Sequence, residues 1–325
     1  MSRVLVHFRL TTPSDLSGEV LDLLREGSWT TNVTVQRGAC LDPEGDLIEC
    51  DVAREKAGVL LHCLNEAGVD RRGGIVVSTP TGTPFDRAEE IEALAPGHPD
   101  DAVIWEAVEA KAAGGAQPTV SFHIFLVLAV ALAAVAVITD SAILVVGAMV
   151  VGPEFSAIAA ASAGVVLGSW SIVHRSLRLL LFSFVFAILV VAVLAVGAHL
   201  SGAVTPDMIT RARPNTGFIW KPDIWSFVVA LIAGAAGVLA LAIDRTNVMV
   251  GVFISVTTVP AAGNLALGIA LWQRQEVVGS LEQLGANVAG MLVSGVLVLA
   301  VMKVAWPAIT AGSERLPGWS GRRRT

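Results

Sequence analysis

Apolar and polar residues are distributed very unevenly along the 325 positions of this chain. Up to about position 116, short apolar patterns alternate with many charged residues, and beyond it long stretches are almost free of charge. A helix needs about 20 mainly apolar residues to cross the hydrocarbon core of a bilayer. Six stretches meet this requirement and predict six membrane spans: 120–139, 141–168, 179–199, 224–243, 247–271 and 285–306.

The N-terminal region has the pattern of a small α+β domain. Residues 3–10 alternate as a strand, and Thr12-Pro13-Ser14-Asp15 can cap a helix that ends at Gly27. Segments 31–36 and 47–52 predict a hairpin around the turn at 42–46. Asp51 can cap a second helix, and residues 74–79 predict a last strand. The order is the βαββαβ of a ferredoxin-like domain over residues 1–82.

The predicted fold class is therefore a membrane α-helical bundle preceded by an α+β ferredoxin-like domain. Residues 83–118 predict a helical juxtamembrane linker, with two short charged helices separated by Pro96-Gly97-His98-Pro99. The six-span domain would occupy 119–308 and a basic tail 309–325.

Charge divides along the same boundary. Residues 1–116 hold 20 of the 28 Asp and Glu but 10 of the 22 Lys and Arg, so this part lacks the basic surface that nucleic acid binding requires. The first residues lack a charged segment followed by an apolar one, so we expect no cleavable signal peptide. Three cysteines without CxxC spacing indicate reduced thiols. Basic residues between and after the spans (Arg175, Arg178, Arg245, Arg315 and Arg322–Arg324) predict a plasma-membrane protein with both termini in the cytoplasm.

One carboxylate lies inside a predicted span. Glu154 is the only acid in the 28 residues 141–168, and a charge at that depth costs at least about 2.5 kcal/mol on insertion scales. It follows Gly152-Pro153, which interrupts a helix and leaves polar backbone groups that could serve a ligand. An intramembrane carboxylate beside a helix break is a candidate binding site for a proton or cation. The alternative is a neutral, hydrogen-bonded structural acid.

The two halves of the membrane region resemble each other. A shift of 104 residues places Asp140 on Asp244 and Gly147 on Gly251, and it places the break at 152–154 near a second break at 257–260. Because each half has three predicted spans, the copies would be inverted relative to each other. Inverted repeats with broken helices, here the second and fifth spans, are the layout of secondary transporters.

Two segments carry a family resemblance. TDSAILVVGAMVVGP (Thr139–Pro153) and VGVFISVTTVP (Val250–Pro260) resemble the family named domain of unknown function 389, which comprises bacterial and archaeal membrane proteins. The resemblance implies a membrane domain over roughly residues 120–270. The family name implies no activity, so the function has to be argued from the residues.

The predicted function is a membrane transporter or channel for a small solute or ion, with the N-terminal domain as a cytoplasmic regulatory or oligomerisation module. The alternative is a non-transporting sensor or scaffold. No HExxH or GxSxG occurs, so we expect no enzyme, and we expect no cofactor and no metal centre. Besides the bilayer and the solute, a homo-oligomer, most simply a dimer, is expected because small residues on the spans permit close helix contact. The candidate binding residues are Gly152, Pro153, Glu154, Ser156, Thr257, Thr258, Pro260 and Asn264, and the candidate helix-corner residues are Asp140, Ser141, Asp244 and Asn247.

Overall fold

The structure is a computed structural model that describes residues 5–95, 103–243 and 256–313, with side chains up to 304. Two compact units are present. One holds the residues up to Ala107 together with those from Val304 onward, and the other holds Val108–Lys303.

The first unit contains a four-stranded antiparallel sheet. Its elements are β1 (Val6–Thr12), α1 (Ser17–Glu26), β2 (Thr30–Leu41), β3 (Glu44–Val52), α2 (Arg54–Glu66), the short α3 (Val69–Arg72) and β4 (Gly74–Ser78). The strand order across the sheet is β2-β3-β1-β4, with every neighbouring pair antiparallel. The βαββαβ order that the sequence predicts is therefore confirmed.

The core of this unit follows from the alternation of apolar residues. Val6, Phe8 and Leu10 of β1 are fully buried, and they pack with Leu24 of α1 and Leu60 of α2. Each strand and each helix thus contributes one apolar face to a shared core.

Both helix N-caps that the sequence suggests are wrong, whereas α1 ends at Gly27 as predicted. The N-cap of α1 is Leu16, since the chain turns at Pro13, whose carbonyl accepts from Leu16 N at 2.9 Å. The N-cap of α2 is Ala53, and Asp51 stays in β3, where its carboxylate contacts His7 Nδ1 at 2.8 Å and accepts from Asn32 Nδ2 at 2.7 Å. For Asp51, contacts with residues of the neighbouring strands thus replace the local role of a helix cap.

Two helices follow the sheet, α4 (Asp86–Leu94) and α5 (Trp105–Gly115). They correspond to the two short charged helices predicted for the linker. The Pro-Gly-His-Pro break between them lies outside the described residues.

The second unit is built from apolar helices. They are α6 (Val120–Thr139), α7 (Ala142–Val151), α8 (Glu154–Leu167), α9 (Trp170–Leu200), the short α10 (Asp207–Thr210), α11 (Ile224–Ala242), α12 (Thr258–Ala270) and α13 (Arg274–Ser313). Four of them (α6, α9, α11 and α13) are long and apolar enough to cross a membrane. The pair α7–α8, bent by 52°, would make a fifth, and α12 is a shorter apolar helix. The chain thus has the helices of a membrane protein, while residues 247–255 of the fifth predicted span lie outside the described residues.

Helix starts recur at one spacing through this unit. The first residues of α6, α8 and α9 (Val120, Glu154 and Trp170) lie 104 positions before those of α11, α12 and α13 (Ile224, Thr258 and Arg274). Local geometry recurs as well. The link from α8 to α9 and the link from α12 to α13 each contain a left-handed residue, Gly168 and Trp272, again 104 positions apart.

The small residues of the spans are used for contacts within this chain. A Cβ on Gly237 would collide with the ring of Phe155, and a Cβ on Gly164 would approach Val173 Cγ2 to 2.9 Å. Ala157, Ala160 and Ala161 are fully buried. Close packing inside the protomer accounts for these residues, and the dimer remains a prediction.

Candidate functional site

The helix break predicted around Pro153 separates α7 from α8. Gly152 ends α7 in an extended conformation, Pro153 occupies the break, and Glu154 is the first residue of α8. A Cβ on Gly152 would collide with Glu154 Oε2 and with Val259, so only glycine lets the carboxylate lie against the break. Ser156 donates its hydroxyl to Pro153 O at 2.8 Å and is committed to its own helix turn.

Glu154 joins the two broken regions. Its side chain is buried, and Oε1 accepts a hydrogen bond from Thr258 Oγ1 at 2.7 Å. Thr258 is the first residue of α12, and Pro260 lies in the first turn of that helix, where a missing amide hydrogen costs nothing. The N-terminal ends of α8 and α12 therefore meet at this bond. Since a helix N-terminus carries partial positive charge, both ends favour an ionised carboxylate between them.

Thr257 extends the polar contacts from α12 to the last helix. Its hydroxyl oxygen accepts from Gln283 Nε2 at 2.9 Å and from Asn287 Nδ2 at 2.8 Å, both on α13. Glu154, Thr257, Thr258, Gln283 and Asn287 thus form one polar cluster, which we call the break cluster. Two of its buried oxygens, Glu154 Oε2 and Gln283 Oε1, have no hydrogen-bond partner among the described residues.

The break cluster lies at the middle of a polar stripe on α13. The stripe consists of five polar residues at helical spacing that are at most 5% exposed: Glu276, Ser280, Gln283, Asn287 and Ser294. From Glu276 to Ser294 the helix rises about 27 Å, close to the thickness of about 30 Å of the hydrocarbon core. Buried polar residues therefore follow nearly the whole crossing of this helix.

One end of the stripe is tied to a buried ion pair. Arg213, from the segment between α10 and α11, donates to Glu276 Oε2 at 2.6 Å, and its side chain is only 1% exposed. Asn264 accepts from Arg213 Nη1 at 2.9 Å and donates to Glu276 Oε2 and Ser280 Oγ at 2.8 Å each. The structure thus places Asn264 in this second group, which we call the arginine cluster, where its amide bonds to Arg213, Glu276 and Ser280 and not to Glu154.

The helix corner at Asp140 has an evident structural role. Asp140 ends α6 in the left-handed conformation, and its carboxylate accepts from Thr216 Oγ1 at 2.8 Å and from Asn215 N at 3.2 Å. Although partial desolvation acts the other way, these hydrogen bonds hold the pKa of Asp140 below its usual range. Ser141 caps α7 by accepting from Leu144 N at 3.4 Å. The matching corner residues Asp244 and Asn247 lie outside the described residues.

The sequence reasoning missed Arg213, Glu276, Ser280, Gln283, Asn287 and Ser294. A signal for the five residues on α13 exists, because their spacing of four, three, four and seven is that of one helix face. Arg213 gives no such signal, since its partners lie 51 and 63 positions away. Among the described residues, no group of three His, Cys, Asp or Glu side chains could hold a metal ion.

Comparison with known proteins agrees with the family resemblance. One relative, an uncharacterized protein of Methanocaldococcus jannaschii, is 23% identical over 137 residues, which are 42% of this chain and 40% of that protein. The chain thus matches less than half the length of this relative. No solved structure shows significant similarity to the chain. Residues 149–293 match the family model described as a domain of unknown function (DUF389). This segment includes the whole break cluster and the arginine cluster, and the family resemblance predicted from the sequence is confirmed over it.

Proposed function

We propose that this protein is a membrane transporter or channel for a small solute or ion, and that Glu154 binds the transported proton or cation. The observation that carries the proposal is the break cluster. A buried carboxylate lies between two helix N-termini at mid-length of a buried polar stripe, and one of its oxygens has no hydrogen-bond partner among the described residues. Burying ionisable side chains inside a membrane bundle costs free energy, and where they occur they mark pathways for ions or solutes.

The chemistry favours a cation or proton at this position. The helix N-termini and Thr258 stabilise one negative charge on Glu154. The other side chains of the break cluster end in hydroxyls and amides, which supply neutral oxygens and no second charge. A single carboxylate with neutral oxygen ligands can exchange a proton or hold a monovalent cation without a large excess of charge.

We further propose that the two halves are inverted repeats. The common spacing of the helix starts supports this, as does the hydrogen bond between Glu154 and Thr258, which are themselves 104 positions apart. In a pair of repeats related by a two-fold axis, equivalent residues meet where the axis passes between them. Such an axis would pass through the break cluster near the midplane of the membrane. The basic residues Arg175, Arg178 and Arg245 support our proposal that both termini lie in the cytoplasm.

The test is flux through the purified full-length protein in proteoliposomes. Vesicles loaded with a pH-sensitive dye would be exposed to Na⁺, K⁺ or H⁺ gradients, and Glu154→Gln would be compared with wild type. Glutamine keeps the shape and the hydrogen bonding but cannot ionise, so we expect normal assembly and loss of pH-dependent or cation-dependent flux. Ser156→Ala is the matched control, because among the described residues the Ser156 hydroxyl bonds to Pro153 O of its own helix turn, and its flux should equal that of wild type.

Two outcomes would contradict the proposal. Unchanged flux and unchanged pH dependence in Glu154→Gln would show that the carboxylate is structural. Absence of flux in wild type for every gradient would favour the non-transporting sensor or scaffold. Separately, a single protomer per particle in nanodiscs, measured by mass, would contradict the dimer predicted from the sequence.

A further inference from the structure

An apolar groove runs between α6 and α9 on the surface of the second unit. Its cavity of about 570 Å³ is lined by Ile124, Val127 and Leu128 of α6 and by Phe182, Phe186 and Val190 of α9. Several of these side chains are exposed, including Phe182 at 73%. The volume lies within the range of pockets that hold a small organic ligand.

A basic pocket continues the groove at one end. This second cavity, of about 410 Å³, shares Pro118, His123 and Phe182 with the groove and is also lined by Arg175 and Arg178. The two arginines are three positions apart, so their side chains lie on the same face of α9. Neither forms an ion pair with a carboxylate in the described part of the chain.

His123 is fixed at the junction between the two cavities. Its Nδ1 contacts Thr119 O at 2.8 Å and its Nε2 contacts Ser183 Oγ at 3.2 Å. The ring also packs edge-on against Phe186. The junction is therefore held by contacts from both helices, and the basic pocket and the groove keep their alignment.

The dimensions fit one leaflet of a bilayer. From Arg178 to Val190 the helix rises about 18 Å, slightly more than half of the hydrocarbon core of about 30 Å. A ligand in both cavities would thus have an anionic group at the membrane surface and an apolar chain inside one leaflet. Two guanidinium groups can bind the oxygens of a phosphate through paired hydrogen bonds.

We propose that this groove binds one anionic phospholipid, with its phosphate at Arg175 and Arg178 and one acyl chain along the groove between α6 and α9. A zwitterionic lipid would compensate the two arginines less well, since its headgroup has no net charge. A free phosphate would leave the apolar groove unused. Basic pockets between membrane helices are known to select anionic headgroups, which agrees with this chemistry.

The experiment measures lipid binding to the full-length protein by native mass spectrometry, with phosphatidylglycerol and phosphatidylcholine as probes. We expect wild type to retain phosphatidylglycerol preferentially, and Arg175→Gln/Arg178→Gln to bind it at least about tenfold more weakly. The matched control is Lys221→Gln/Arg274→Gln, which removes the same charge from residues outside the groove and should bind as wild type does. Val127→Phe fills the groove without changing charge, and it should also weaken binding.

Three results would overturn the proposal. Equal loss in the Lys221→Gln/Arg274→Gln control would show that total charge alone attracts the lipid. Full binding in Val127→Phe, together with competition by inorganic phosphate, would show an anion site without an acyl-chain site. Equal retention of phosphatidylcholine would exclude headgroup selection. Because binding is measured without flux, none of these results depends on the proposed transport function.

Discussion

The ion pair between Arg213 and Glu276 gives the most quantitative prediction. Their side chains are 1% and 5% exposed, so each charge depends on the other for compensation. Removing one partner of a buried pair costs about 3–5 kcal/mol, because the remaining charge stays buried without its counter-ion. Arg213→Met should therefore destabilise the protein by about this amount, and Glu276→Met by a similar amount. The double variant replaces both charges with apolar groups of similar length and should recover most of the stability.

Thermal unfolding of the purified protein in detergent, followed by tryptophan fluorescence at one scan rate, measures this effect. For a unit of this size, about 1 kcal/mol corresponds to roughly 2–4 °C, so each single variant should melt at least about 6 °C lower than wild type. The control is Arg274→Met on the same helix, because Arg274 is exposed and should shift the melting temperature by less than about 2 °C. Additive losses in the double variant would refute the reasoning, since independent sites add whereas a coupled pair does not.

Three further outcomes follow from the structure. A Cβ on Gly263 would lie 2.7 Å from Ala133 Cβ and 2.8 Å from Ala134 N, so Gly263→Ala should lower the free energy of unfolding by about 1–3 kcal/mol, seen as a lower melting temperature. Gly147→Ala is the control, because its nearest contact would be 3.6 Å away and its effect should be close to neutral. Hydrogen bonds from Gly38 N, Ser17 and Arg37 lower the pKa of Asp46 to about 2. This carboxylate should therefore stabilise the β2–β3 hairpin above about pH 4 and stop doing so as the pH falls through 2. Hydrogen exchange of the hairpin amides should differ between wild type and Asp46→Asn above about pH 4, and the difference should vanish as the pH falls through 2. Burial raises the pKa of the Cys50 thiol to about 12. A maleimide at neutral pH should therefore label at most two of the three cysteines in the folded protein and all three in denaturant. Rapid labelling of Cys50 in the folded protein would contradict its burial.

The elements that local pattern determines were predictable from the sequence. The strands and helices of the first unit follow from the alternation and helical spacing of apolar residues, and the break at Gly152-Pro153 follows from the chemistry of those two residues. The N-cap of α2 did not follow, because Asp51 forms contacts with His7 and Asn32 across the sheet. Such partners depend on the fold and leave no trace in the neighbouring residues.

The start of the last helix shows the same limit in the membrane unit. Hydropathy predicts a span from 285, whereas α13 begins at Arg274, because Arg274, Glu276 and Glu282 lower the average hydropathy of the intervening turns. Glu276 is nevertheless buried, since Arg213 supplies its counter-charge from 63 positions away. A hydropathy average treats each charge as unpaired. It therefore leaves out of the predicted span a helical turn whose charge is compensated by a residue far away in the sequence.

The two halves carry polarity unequally, and this inequality bears on the proposed mechanism. The α9 positions that lie 104 residues before the stripe on α13 are Ile172, Ser176, Leu179, Ser183 and Val190. The first four are buried, as their counterparts are, yet only two are polar and none has a carboxylate or an amide. At the two breaks, the first half contributes one ionisable side chain, Glu154. The equivalent residue of the second half is the neutral Thr258, which donates a hydrogen bond to it. Two carboxylates at this contact would repel each other, and one of them would stay protonated. One acid paired with one hydroxyl avoids that repulsion and leaves one charge that a proton or cation can neutralise, which is the property that a single-ion transport cycle requires.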